Sequence, residues 1–453
     1  MNIKKYISRF NLLTQRGRLG GGHAFALMRE NKLFSAIYIA GTAVAIASAM
    51  VVAIVLNIML VNNYPEMHRD RTLYVNVSQY KESEIGGPIM CGCSTLAVDE
   101  LFNKMECVEL AIGDHSSNQM SVNTDSIPFV QSQVDVHQCD YRFFRFYDFD
   151  FIEGRPFSEQ EFRDSMNVCV ITDKLAKKLG LTTHDQSTIY LGSFPFRIVG
   201  IVRGASIMMN ASYSEVYIPY KTPHMLRVMD SPNSYEGDLG VRVLLKKGYT
   251  RNDFLKEVEP LRSRYEAVQS SAQGERVYFT VEAHSQFFSV FNSFNSDDES
   301  ISDMGKNLLL PALLMLFFLM LPALNLSSLV SNRMERRRPE MGIRKAFGAK
   351  WRTLLSEVIN ENLILTLCGG FVGWILSWLF IVCVKDTHFV RMFVYRIDNE
   401  PLGDVALNFK MFFTPTLFLV VFLCCAILNL LVALIPAWRS LKSPIVESLN
   451  QKK

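Results

Sequence analysis

Four stretches of the chain carry no charged side chain and are mostly apolar: 33–61, 308–330, 362–384 and 416–437. They run 29, 23, 23 and 22 residues, and a helix of about 20 apolar residues crosses the roughly 30 Å of a bilayer's hydrocarbon. Each therefore predicts a membrane-spanning helix. The first is too long for the apolar core of a cleaved signal, and 32 residues precede it, so it reads as a retained anchor. The long polar-rich interval 62–307 shows other periods. "TLYVNVSQY" (72–80) alternates like a half-buried strand, "TLAVDELFNKME" (95–106) has helical spacing, and "CVELAIG" (107–113) is strand-like. The same order returns as "LGVRVLLKKG" (239–248), "TRNDFLKEVEPLRSRY" (250–265) and "RVYFTVEAHS" (276–285).

Two strand–helix–strand units at opposite ends of one interval predict a split α/β subdomain, about 62–140 and 238–285, with its halves packed together. Between them, about 141–237 reads as a β-rich insertion: "NVCVIT", a helix "DKLAKKLG" closed by Gly180, and "TIYLGSFPFRIVGIVRGA". Phe287, Phe291 and Phe294 recur at helical spacing in 286–307, which predicts a stalk before the second span. The expected fold class is thus a membrane protein of four transmembrane α-helices with a large mixed α+β extracytoplasmic domain between helices 1 and 2.

Charge orients this plan. Residues 1–32, a basic segment with an amphipathic elbow, hold seven Lys/Arg and one acid; 331–358 hold eight and three; the tail after Ala437 holds four and one. Segment 62–307 holds 24 Lys/Arg and 34 Asp/Glu. Basic segments stay in the cytosol, so both termini and the 331–361 loop are expected inside, with 62–307 and the short loop 385–415 outside and the tail 438–453 inside. A net charge of +3 over 453 residues gives no reason to expect nucleic acid. Of nine cysteines, five (Cys91, Cys93, Cys107, Cys139, Cys169) fall outside, an odd count that leaves at least one thiol free within a chain.

Catalytic chemistry is not visible. A phosphate-binding loop needs G-x-x-x-x-G-K-[ST], and the lone Gly-Lys pair, Gly305–Lys306, is followed by Asn307. No H-E-x-x-H and no G-x-S-x-G occurs. His137 and Cys139 alone are too few to bind a metal, and Asp148/Asp150 and Asp297/Asp298 read as turns and solvated surface. No bound cofactor is expected.

The cytoplasmic loop carries more shape than topology requires. Pro339 suits the first turn of a helix and Gly348 the left-handed residue that ends one. The eight residues between them span about 12 Å. Ile343, Ala346 and Phe347 share one face; Glu340 lies near the N-terminus, and Arg344 and Lys345 near the C-terminus, where each suits the helix dipole. So short a helix is marginal alone and must dock on lipid, on its own spans or on a partner. Glu361 borders the third span, where a carboxylate must be paired or interfacial. Gly369 and Gly373 permit close helix approach. Pro311 and Pro322 are expected to kink the second span, and Pro436 and Pro444 to end helices.

"PEMGIRKAFGAK" with Glu361 and "GGFVG" (369–373) resembles the signature of FtsX/MacB-type ABC transporter permeases, with Met341 in place of the family's usual isoleucine. "MRENKLFSAIYIAGTAVAIASA" resembles the family's elbow and first span. "IPAWRSLKSPIVESL" resembles its closing segment, although Asn450 stands where arginine is common. "FDFIEGRPFSEQEF", "NVCVITDKLAKKLG" and "IYLGSFPFRIVGIVRGA" are similar to its MacB-like periplasmic core. The resemblance implies a multi-pass protein of the bacterial inner membrane. Pro339, Glu340, Met341, Gly342, Ile343, Arg344, Lys345, Ala346, Phe347 and Gly348 would form a coupling helix seated on an ATPase. That partner, supplied in trans, would use ATP and Mg. Glu361, Gly369, Gly370 and Gly373 would serve membrane packing or pairing. The resemblance also implies a second permease subunit, identical or related, and admits a periplasmic adaptor. It implies mechanical transmission that exports or extracts a peptide, lipoprotein or hydrophobic compound. The alternative is an FtsX-like regulator acting on a cell-wall hydrolase or signalling partner.

Overall fold

The computed structural model describes residues 32–81, 89–124, 127–181, 187–206, 209, 211–222, 234–292, 342–344, 346–384 and 415–442, with isolated positions within 313–335. The expected elbow, most of the second span with Pro311 and Pro322, Pro339–Met341, Lys345, and the segments 385–414 and 443–453 lie outside the described residues. The chain divides into a helical unit (Met1–Leu56, Gly305–Thr387, Phe409–Lys453) and a second unit built on Asn57–Met304.

The first helix, α1 (Lys32–Leu60), covers the first charge-free run. After a 3₁₀ turn at Arg69–Arg71 come β1 (Thr72–Lys81) and β2 (Ile89–Cys93), then a wide π-helical turn at Ala97–Phe102. A long hairpin follows, β3 (Val108–Thr124) and β4 (Ile127–Cys139). Next in order are α2 (Phe143–Phe146), β5 (Phe151–Gly154), α3 (Glu159–Arg163), β6 (Val168–Thr172) and α4 (Asp173–Leu179). Strands β7 (Thr188–Leu191), β8 (Phe194–Val202), β9 (Val216–Pro219), β10 (Glu236–Gly237) and β11 (Gly240–Leu245) complete the middle. The unit closes with α5 (Arg251–Gln273), β12 (Val277–Ser285) and α6 (Gln286–Asn292).

β1 runs antiparallel to both β11 and β12, so segments almost 200 residues apart share one open sheet. Val75, Val77, Val241, Val243, Phe279 and Val281 bury one face of it with Phe254 and Val258 of α5 and Val98 and Phe102 of the π-helical turn. The outer edge of β12 is covered by α5: Ser270 Oγ accepts from Val277 N–H at 2.9 Å, and Glu266 from Phe279 N–H at 2.8 Å. Arg251 donates to Ala283 O at 2.5 Å. Side chains thus replace the missing strand and remove a pairing edge.

The β-rich half is a closed ring. β3 pairs β4, β4 pairs β9, β9 pairs β6, β6 pairs β8, β8 pairs β7, and β7 returns to β3 through Val122↔Leu191 and Thr124↔Ile189. Val122, Val136, Ile171, Ile189, Phe196, Ile201 and Val216 fill it, with Leu175 and Leu179 of α4 packed on the same core. Gly180, at φ +65°, ends α4. Two of the six strands come from 108–139, so the ring is not confined to the expected insertion over 141–237. An aromatic seam joins ring and open sheet: Phe143, Phe144, Phe149, Phe157 and Tyr217 are buried together with Ile112 and Leu244.

In the helical unit, α7 (Trp351–Val384) and α8 (Pro415–Lys442) accompany α1. Ser35–Leu60 and Trp351–Phe380 are long and apolar enough to cross a membrane, and Pro415–Leu431 is a shorter apolar stretch. α7 starts eleven residues before the charge-free run, so Arg352, Glu357 and Glu361 ride on its first turns. Pro436 does not end α8, contrary to expectation; the helix passes it and continues to Lys442, the last described residue, and Pro444 lies outside the described residues. One proline forfeits a single backbone bond, which the turns on either side can carry inside a packed helix.

Candidate functional site

The turn before α7 is closed as its sequence requires. Gly348 takes φ +86°, a left-handed conformation that costs a glycine nothing. Phe347 N–H donates to Ile343 O at 3.1 Å and Ala349 N–H to Arg344 O at 3.0 Å, the six-to-one bond of a Schellman end. Thr353 N–H then donates to Lys350 O, so only Ala349 and Lys350 separate this turn from α7. Arg344 Nη1 reaches back to Glu357 Oε2 at 2.9 Å and ties the turn to the second turn of α7. Gly342 is buried, whereas Ile343, Ala346 and Phe347 are exposed, Phe347 at 77%. The shared apolar face is thus exposed to solvent. Pro339, Glu340, Met341 and Lys345 lie outside the described side chains.

Farther along α7, one stripe is buried: Leu354, Val358, Glu361, Asn362, Leu365, Thr366, Gly369, Gly370 and Gly373. Glu361 is 4% exposed, inside the packed stripe rather than at a solvated border. A Cβ on Gly369 would stand 2.7 Å from Thr42 Cβ, and one on Gly373 2.7 Å from Ala43 O, so both glycines seat α7 on α1. Gly370 faces the other way, with Phe422 Cε2 of α8 at 2.6 Å from its notional Cβ. Trp374 and Phe418 meet beside it with tilted rings, centroids 5.6 Å apart. Gly369 and Gly373 thus let α7 lie close to α1, and Gly370 lets it lie close to α8.

The second unit holds charge networks rather than a reaction centre. Asp114 accepts from Arg242 Nη1 at 2.7 Å and pairs with His137 Nε2 at 3.1 Å, with Asp114 and His137 buried and Arg242 half-buried. Burial pushes the Asp114 carboxyl up, but Arg242 and then His137 outweigh it and hold it below its usual range. His137 is committed to that network. Asp148 pairs with His68 at 3.1 Å and Asp150 with Arg203 at 2.8 Å, so the two acids have separate partners and form no dyad. Among the described residues no three His, Cys, Asp or Glu side chains are grouped to hold a metal ion. Cys93, Cys107, Cys139 and Cys169 are all buried, and the last three are free thiols. Burial, with Glu257 beside it, pushes Cys107 up to about 12. Sequence reasoning missed Arg69 and Glu66, a buried pair at 2.6 Å near the start of the split subdomain.

A family model described as the MacB-like periplasmic core domain matches residues 35–261, and one described as the FtsX-like permease C-terminal matches 312–445. The macrolide export ATP-binding/permease protein MacB of Haemophilus ducreyi is 21% identical over 370 residues, covering 75% of this chain and 47% of that protein. An uncharacterized ABC transporter permease of Bacillus subtilis, YknZ, is 20% identical over 225 residues, covering 49% and 50%. The chain spans about half the length of the curated relatives it matches. Among solved structures, the periplasmic region of MacB from Actinobacillus actinomycetemcomitans aligns at TM-score 0.34 and 13% identity, over 50% of this chain and 94% of that one. A permease domain from Porphyromonas gingivalis aligns at TM-score 0.38 and 15% identity, over 54% and 98%.

Proposed function

The chain belongs to the MacB/FtsX type of ABC transporter permease, and from that premise we propose that it is a mechanical transmission subunit. ATP-driven closure of a separate ATPase moves the turn ending at Gly348, α7 and its neighbours carry the displacement, and the extracytoplasmic domain does the work. The cargo class this fits is a peptide, lipoprotein or hydrophobic compound exported or extracted at the outer face. Four spans, both termini in the cytosol, a second permease subunit and lipid contact belong to the same proposal, and an adaptor is compatible with it.

One observation carries the reading: a Gly348-closed turn, pinned to α7 by Arg344 and Glu357, that turns Ile343 and Phe347 outward. Exposed apolar groups on so short an element need a docking surface. No phosphate-binding loop occurs in these 453 residues to supply one from a fused ATPase. Affinity purification of the membrane protein is expected to capture a P-loop ATPase whose turnover responds to cargo. Glu340→Lys and Gly342→Trp should abolish that capture and the coupled turnover; intact association in both variants would refute the docking role. Capture of a cell-wall hydrolase with no response to any cargo would instead favour a regulator.

A further inference from the structure

The last carbonyls of a helix lack intrahelical partners. From Asn57 on, α1 is part of the second unit, and at its end three side chains of that same unit meet the carbonyls of Ile58, Met59 and Val61. Arg69 Nη1 donates to Ile58 O at 2.6 Å and Val61 O at 3.2 Å. Gln286, the first residue of α6, donates from Nε2 to Met59 O at 2.8 Å. Asn63 Nδ2 donates to Val61 O at 3.0 Å. The rest of the Arg69 guanidinium faces the domain: Nε donates to Glu66 Oε2 at 2.6 Å and Nη2 to Met209 Sδ at 2.8 Å. The other Glu66 oxygen accepts from Ser212 Oγ at 2.7 Å. Arg69 and Glu66 side chains are 3% and 2% exposed.

Neighbouring contacts run the same way. Tyr64 OH donates to Arg203 O at 2.8 Å and accepts from Asp150 N–H at 3.1 Å, and the Arg203 guanidinium lies 3.9 Å over the Tyr64 ring. Residues 61–71 are thus bonded on one side to the end of α1. On the other they meet Arg203, Met209 and Ser212, which lie between β8 and β9, two strands of the closed ring. A buried ion pair adds little stability over an apolar pair of the same volume. What the guanidinium fork adds is direction, several bonds at fixed angles from one rigid plane.

We propose that Arg69, held by Glu66, is a positioning residue for transmission: it makes the outer end of α1 and the β8–β9 connection one moving body, so that displacement of α1 is delivered to the six-stranded ring. What moves α1 rests on the permease reading above; the joint does not. Amide hydrogen exchange on the full chain in nanodiscs tests it without any ATPase. Arg69→Met is expected to speed exchange in peptides 57–71 and 209–222 together, by the same factor, on the order of tenfold or more. Peptide 261–273, in the second half of α5, should keep wild-type protection, whereas an arginine that merely stabilised the unit would expose all three. Ser212→Ala combined with Met209→Leu spares the bonds to α1, leaves no charge stranded, and should speed 209–222 alone. Acceleration confined to 57–71 in Arg69→Met, or an unchanged 209–222 in the double variant, overturns the joint. Failure to capture an ATPase would overturn the permease reading and leave the joint standing.

Discussion

Glu161 shows how one carboxylate fixes a turn of the ring. It occupies the third position of α3 in a capping box, accepting from Ser158 N–H at 2.8 Å while its own N–H donates to Ser158 Oγ at 3.2 Å. Arg155 grips both of its oxygens, at 2.7 and 2.8 Å. The Arg155 bond, against the cost of burial and with help from Ser158, holds the Glu161 carboxyl at about 2. A carboxyl depressed in the folded state stabilises it above the unfolded pKa near 4.3, and that contribution drains away as pH falls toward 2. Glu161→Gln should therefore cost about 2–3 kcal/mol at pH 7, with the gap from wild type closing between about pH 4.3 and pH 2. Paired urea titrations followed by circular dichroism across that range check it; a gap independent of pH would refute the assignment. Asp140 works the other way, since burial, despite Arg142, raises it to about 6. Wild type gains from its protonation as pH falls through 6, but both proteins share Asp140 and it cancels in the difference.

At the scale of elements, the three glycines of α7 differ in what a methyl group would strike. At Gly373 the obstacle is a backbone oxygen of α1, Ala43 O, with Ile46 Cβ at 3.0 Å; at Gly370 it is the rim of the Phe422 ring, which can turn. Gly373→Ala should thus cost about 1–3 kcal/mol by overpacking and lower the melting temperature in detergent more than Gly370→Ala does. Equal losses would mean that α1 and α7 are not in close contact. Much at this scale was legible in the sequence, because local physics writes it there. Absence of charge marked α1, α7 and α8, alternation marked β1 and β12, and Gly180 and Gly348 marked two helix ends. The closure of the ring was not legible, since Val122↔Leu191 joins residues that no local period relates. Nor was the role of Arg69, whose partners lie 3 to 140 residues away. Pro436 misled because a breaker rule describes isolated helices, and α8 is not isolated.

At the scale of the whole molecule, charge makes a claim that labelling can check. The segment 62–307 carries ten more acids than bases, while the three flanking segments are basic, which predicts Phe347 in the cytosol and α5 outside. Single reporter cysteines at Phe347 and Val268, both strongly exposed, would read the two sides. Native thiols interfere little with this experiment. Cys93, Cys107, Cys139 and Cys169 are buried, and burial keeps Cys107, Cys139 and Cys169 protonated, so the reactive thiolate is scarce. Replacing Cys91 by serine removes the remaining thiol of that segment. With a membrane-impermeant maleimide on intact spheroplasts, Val268→Cys should label at once and Phe347→Cys only after permeabilisation. Capture by an ATPase should then shield Phe347→Cys even in permeabilised cells, because the same exposed ring would be covered by its docking partner. Labelling of Phe347→Cys from the outside would invert the topology and, with it, remove any route by which a cytosolic ATPase could move α7.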